Sequence, residues 1–162
     1  MPVAPSLRPI TDEDLPFLRA LYAGTRETEL AAVAWSEAQK RAFLDSQFAL
    51  QHAYYQQHYP AARFDLLLED STPIGRLYVN RTPAEMRVID ISLIAERRGR
   101  GIGTRLLRGL CEEAAQTPAC VSIHVEKFNP AQALYRRLGF SLREERGAYD
   151  FLVWEPTAAA LP

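Results

Sequence analysis

The chain has 162 residues, 48% of them hydrophobic and 24% charged, and a formal net charge of −1. That is enough for one domain with its own core, and the charge balance excludes a nucleic-acid binder that works through a broad basic surface. Only Cys111 and Cys120 are present, so no disulfide scaffold is expected; with no cationic-then-apolar leader and no membrane-length apolar run, a reducing, cytoplasmic setting is expected.

Residues 6–8 read as a short first strand. Thr11 is placed to cap a helix whose first turn is acidic, and Leu15, Leu18, Leu21 and Tyr22 form its apolar stripe. Ser36 is placed to cap a second, long helix that runs to about Tyr59 and stops at Pro60. Its stripe is read as Phe43, Leu44, Phe48 and Leu50, extended by Tyr54, Tyr55 and Tyr59. Three strands follow, at 63–69, 74–80 and 85–94, joined by turns at 71–73 and 82–84. Short turns between consecutive strands predict an antiparallel meander.

Leu106, Leu107, Leu110 and Ala114 mark a third helix, ending near Pro118, and a strand is expected at 119–126. Strand, helix and strand in succession imply a parallel pair. Asn129-Pro130 is expected to open the next helix, with Asn129 as N-cap and Pro130 at the first helical position, and Gly139 to close it. Strands at 140–145 and 149–154 complete the pattern, leaving a tail at 156–162.

The segment between the third strand of the meander and the third helix carries the chemistry. Gly99, Gly101 and Gly103 alternate with other residues, and five arginines lie between Arg97 and Arg108 with no acid among them. Bare backbone N–H groups beside a helix N-terminus suit a phosphate. No Lys-Ser or Lys-Thr pair exists for a Walker loop, and Thr104 stands where a dinucleotide fingerprint starting at Gly99 needs its third glycine. What remains is Arg98-x-x-Gly101-x-Gly103. It resembles the Arg/Gln-x-x-Gly-x-Gly/Ala signature of the GNAT superfamily of acyl-CoA N-acyltransferases. One helix and one strand downstream, residues 129–140 resemble that superfamily's Asn-x-x-Ala-x-x-Leu-Tyr-x-x-x-Gly-Phe segment, and the order of elements from Ser6 to Trp154 is similar throughout.

The resemblance implies a mixed α/β fold in one N-acetyltransferase domain, residues 1–155. It has a twisted, mostly antiparallel sheet of about seven strands with helices on both faces. It implies acetyl-CoA as cosubstrate, no metal, and direct transfer to a primary amine on a small molecule or peptide. A non-catalytic acyl-CoA-binding module on the same fold is the alternative. The backbone of Arg98, Gly99, Arg100, Gly101, Ile102, Gly103 and Thr104 would hold the pyrophosphate. Leu93 and Ile94 would bind the pantetheine arm, one of their N–H groups serving the oxyanion, and Asn129 would touch the same arm. The strands at 85–94 and 119–126 would splay to admit it. Tyr135 would protonate the departing thiolate. The resemblance allows a homodimer, with neither a nucleic-acid nor a membrane partner.

An alkylamine of pKa about 10.4 is almost wholly protonated at neutral pH, so attack on a thioester is helped by a base. Candidates are His124, Asp90, Glu126 and Glu85; His124 is the first choice because its ordinary pKa is best matched, and Asp90 is the second. His124 and Asp90 both fall on polar strand faces, and they are expected to converge if those faces meet at the splay. Arg105 and Arg108 read as solvated charges, and both cysteines as buried thiols. His52 and His58 lack the spacing of metal ligands.

Overall fold

The computed structural model describes residues 4–156. Seven strands form one sheet in the order β1-β2-β3-β4-β5-β7-β6. They are β1 (Ser6–Pro9), β2 (Arg63–Glu69), β3 (Thr72–Arg81), β4 (Glu85–Leu93), β5 (Cys120–Glu126), β6 (Ser141–Arg146) and β7 (Tyr149–Trp154). The helices are α1 (Leu15–Thr25), α2 (Glu27–Ala31), α3 (Glu37–His58), α4 (Ile102–Ala115) and α5 (Gln132–Arg137). The sheet is mixed and mostly antiparallel: β4 and β5 are parallel, while β1/β2, β5/β7 and β6/β7 run antiparallel. The chain groups into two compact units, one reaching Leu77 and including Ser92–Arg98, the other comprising Tyr78–Ile91 and the chain from Gly99 onward.

In the first unit, Leu18 and Tyr22 of α1, Phe48 of α3 and Leu66 of β2 form a buried cluster flanked by Ile10, Leu15, Phe17, Leu44 and Leu68. Truncating such a side chain to alanine costs about 2–5 kcal/mol. α3 starts where the sequence places it. Ser36 Oγ accepts from the Gln39 N–H at 3.1 Å, and Gln39 Oε1 accepts from the Ser36 N–H at 2.9 Å. Leu50 departs from its expected place and is 64% exposed. Two residues past Phe48, a 3.6-residue period has turned it to the far side. The α1 prediction also shifts. Asp12–Asp14 form a 3-10 turn, with the Asp14 carboxylate accepting from the Thr11 N–H and from Arg8, and the α-helix begins at Leu15. Short α2 has no counterpart in the sequence reading.

β2 and β3 are joined by two residues, Asp70 (φ 49°) and Ser71 (φ 72°). Left-handed conformations at both central positions make the tight, primed type of hairpin turn.

In the second unit, Leu107, Leu110, Cys111, Ala114 and Ala115 are the buried face of α4, which packs on β5. α5 begins later than predicted. Its N-cap is Ala131, and Asn129 precedes the helix in a turn, its Oδ1 accepting from the Ala131 N–H at 2.8 Å. The Gln132 N–H closes a single turn onto the Asn129 carbonyl at 3.1 Å, and the first α-helical bond, from the Tyr135 N–H to the Ala131 carbonyl, comes two residues later. The end of α5 follows the prediction. Gly139 has φ 101°, its N–H reaches Arg136 O, and the Phe140 N–H reaches Tyr135 O. This is the Schellman arrangement. Of the expected tail, all but Pro156 lies outside the described residues.

Candidate active site

Gly99 (φ 73°) and Gly101 (φ 81°) turn the chain through left-handed conformations into α4, with Gly101 as the N-cap. The N–H groups of residues 99–104 find no acceptor among the described residues. Gly103 is different, since its φ does not require glycine, and a Cβ there would meet nothing within 4 Å. Glycine inside a helix costs about 1 kcal/mol relative to alanine, and no packing in the protein explains it here. Unsatisfied donors at a helix N-terminus, under open space, fit a phosphate group.

The arginines divide. Arg97 is paired with Glu69 at 2.9 Å, and Arg98 Nε donates to the Leu93 carbonyl at 3.0 Å. Arg100, Arg105 and Arg108 are exposed.

At the end of β4, Ile94 must be corrected as a backbone donor. Its N–H donates to Ile74 O at 2.8 Å, and its carbonyl accepts from Arg97. The alternation of an extended strand turns the peptide groups of Leu93 to the opposite edge of β4 from those of Ile94. Leu93 is therefore the residue of the pair with peptide groups directed away from β3.

β4 and β5 pair from Glu85↔Cys120 to Val88↔Ile123 and no further, although β4 continues to Leu93 and β5 to Glu126. The strands thus part beyond Val88. The register matches even-numbered residues of β4 with odd-numbered residues of β5. Asp90 therefore shares a face with Val121, Ile123 and Val125, while His124 shares the other with Ser122, Glu85 and Arg87. The expected convergence of Asp90 and His124 does not occur. α5 lies on the Asp90 face. Gln132 Nε2 donates to Asp150, which opposes Val125, and Gly139 touches Trp154, which opposes Val121.

Tyr135 is buried, in edge-to-face contact with Phe140 at 5.8 Å between ring centres. Burial, with a contribution from the Asp90 charge, pushes its hydroxyl up to about 12. On the opposite face, Ser122 donates to Glu85 at 2.7 Å, and Arg87 bonds both. His124 is held below its ordinary pKa, first by burial and then by Arg87 and Arg146. Glu126, on the same face, is exposed. Burial pushes Cys111 up to about 12 and raises Cys120, so neither thiol is poised as a nucleophile. His52 stacks on Phe48 and His58 on Tyr54. Among the described residues, no group of three or more His, Cys, Asp or Glu side chains could hold a metal.

The acetyltransferase (GNAT) family profile matches residues 19–140. The chain belongs to this family. Solved GNAT-fold structures align over nearly its whole length. The PaiA N-acetyltransferase of Thermoplasma acidophilum, solved with coenzyme A, is 18% identical, with a TM-score of 0.69 over 94% of this chain and 99% of that one. An acetyltransferase from Thermus thermophilus is 19% identical, with a TM-score of 0.67 over 95% and 98%. Ard1 from Thermoplasma volcanium is 14% identical, with a TM-score of 0.61 over 96% and 99%. These likenesses establish the fold. No curated protein sequence matches the chain significantly.

Three features of this GNAT chain escaped the sequence reading. Gly75 stands inside β3, and an isolated glycine in a strand signals close backbone approach. Gln132 ties the β5–α5 corner by donating to the Glu126 carbonyl at 3.1 Å and to Asp150 at 3.0 Å. Arg146 reaches His124 from β6 across β7, which no local pattern could reveal.

Proposed function

We propose that the protein is an acetyl-CoA-dependent N-acetyltransferase working as one catalytic domain, with direct transfer to a primary amine of a small molecule or peptide. The observation that carries this reading is the β4–β5 pairing that stops at Val88↔Ile123, with His124 and Tyr135 on opposite faces of the opened strands. The N–H groups of Gly99, Arg100, Gly101, Ile102, Gly103 and Thr104 would hold the pyrophosphate, while the Arg98 N–H, expected to share that role, is spent on the Ala95 carbonyl at 3.2 Å. Leu93 would meet the pantetheine arm and Asn129 would approach it with its side-chain amide.

The cosubstrate supplies the activated acyl carbon. His124, on the face opposite α4 and α5, takes the proton that the amine must lose as its nitrogen bonds to that carbon. A depressed pKa keeps the ring unprotonated at neutral pH. The Leu93 N–H donates to the developing oxyanion. As the carbon–sulfur bond breaks, Tyr135 gives its hydroxyl proton to the thiolate, and a raised pKa keeps that proton on the phenol beforehand. Asp90 thus acts on the acid rather than as the base.

The test is free-thiol release from acetyl-CoA across a panel of amines, with products read by mass spectrometry. Amine-dependent release supports the proposal. Acetyl-CoA binding without turnover across the panel replaces it with a non-catalytic acyl-CoA-binding module.

A further inference from the structure

Phe151 of β7 is the hub of a charged cluster beside His124. The His124 and Phe151 ring centres are 4.8 Å apart, and the guanidinium carbons of Arg146 and Arg87 lie 4.1 Å and 5.3 Å from the Phe151 centre. Arg146 Nη1 is 2.9 Å from His124 Nε2, and Arg146 Nη2 donates to Glu144 at 3.0 Å. The register agrees with these contacts, since His124 opposes Phe151, and Phe151 opposes Glu144.

A guanidinium has donors only. At 2.9 Å from Arg146, His124 Nε2 must therefore accept, and the proton of the neutral ring sits on Nδ1. An imidazolium donates from both nitrogens and would oppose donor to donor here. The groups facing His124 are Glu85 and Arg87 from β4, Arg146 and Glu144 from β6, and Glu126 from its own strand. The charges of Glu85 and Glu144 are already engaged by Arg87 and Arg146.

We propose that Arg146 is a positioning residue for His124, fixing the ring as the neutral Nδ1–H tautomer with its Nε2 lone pair on the guanidinium. This rests on the reading of His124 as the base. The lone pair that must take the amine proton is kept available by a group that cannot protonate it. Arg146 must then leave Nε2 as the amine arrives. Its side chain is 40% exposed, and an exposed ion pair such as Arg146–Glu144 is worth at most about 1 kcal/mol, so that pair does not lock the guanidinium in place.

The experiment is nitrogen-15 NMR of the His124 ring across pH in the full chain, with Arg146→Gln and Arg146→Lys beside the parent. The parent should show the proton on Nδ1. In Arg146→Gln the tautomers should mix and the titration midpoint should climb toward the ordinary value of about 6.5. Arg146→Lys, which keeps a cationic donor, should recover the parent midpoint in part. An Arg146→Gln spectrum with unchanged tautomer and midpoint overturns the proposal. The pH–rate profiles separate the two readings. A midpoint that moves in NMR together with the acidic limb of the rate supports both. A midpoint that moves alone supports the role of Arg146 and removes His124 as the base.

Discussion

A Cβ on Gly75 would collide with the carbonyl oxygen of Ser92 and stand 3.2 Å from Leu93 Cα. The backbones of β3 and β4 meet there as closely as glycine permits, at the residues that direct the Leu93 peptide. Gly75→Ala should destabilise the fold by about 1–3 kcal/mol, the usual cost of overpacking. Thermal unfolding should show this as a drop of about 2–4 °C per kcal/mol for a chain of this size. The stabilisation conferred by CoA should shrink as well. An unaltered melting temperature would mean that the strands separate freely at this point.

The β2–β3 turn invites the opposite change. Asp70 and Ser71 both hold left-handed conformations without being glycine. The double substitution Asp70→Asn with Ser71→Gly installs the pair best suited to such a turn. It should add about 0.5–1 kcal/mol in chemical denaturation. A loss of stability would show that the parent side chains contribute contacts that outweigh the backbone strain.

Tyr135→Phe removes one hydroxyl from a buried ring. As general acid, Tyr135 should be worth about 100-fold or more in kcat, with KM for acetyl-CoA little changed. The phenol is held protonated through neutral pH, so the alkaline limb of the parent rate should be the one Tyr135 sets, and the variant should lose that limb alone. Parental kcat in Tyr135→Phe removes the assignment.

Stability should fall in two steps as pH is lowered. His52 and His124 both have folded pKa values below their unfolded values, His52 through burial first and then the Arg76 charge. The unfolded chain therefore binds their protons more readily. Their favourable contribution is complete above about pH 6.5 and is lost as pH falls from there through the folded pKa values. Asp14, Glu29, Glu85 and Glu144 are also depressed, chiefly by hydrogen bonds with arginine, except that at Glu85 bonds from Ser122 and Arg87 outweigh its burial. Their contribution persists to about pH 4.5 and is lost below it. Urea midpoints measured from pH 8 to pH 3 should show both steps, and His52→Asn with His124→Asn should flatten the upper one. A constant midpoint between pH 7 and pH 5 would contradict the first step.

Local chemistry made much of this visible in the sequence. The Ser36 cap, the Gly139 terminus and the turn between β3 and β4 are each written within a few residues, whereas the β2–β3 turn, expected at 71–73, falls at Asp70 and Ser71. The glycine loop was equally legible, because donors at a helix start depend on that segment alone. The partition of the candidate site was not. Asp90 and His124 each lie on a plausible polar face of their own strand, but a parallel register is set by the whole sheet, and a shift of one residue exchanges the faces. The Arg146–His124 bond was hidden for the same reason, spanning three strands and 22 residues of sequence.

The even-with-odd register has a consequence for proton traffic. The sheet is a divider, with His124 opening onto one surface and Tyr135 lying under α5 on the other. No side chain of a shared face can pass a proton between them. If His124 and Tyr135 act as proposed, a proton collected at the imidazole is not the one delivered at the phenol. Each titration can then be abolished without disturbing its counterpart.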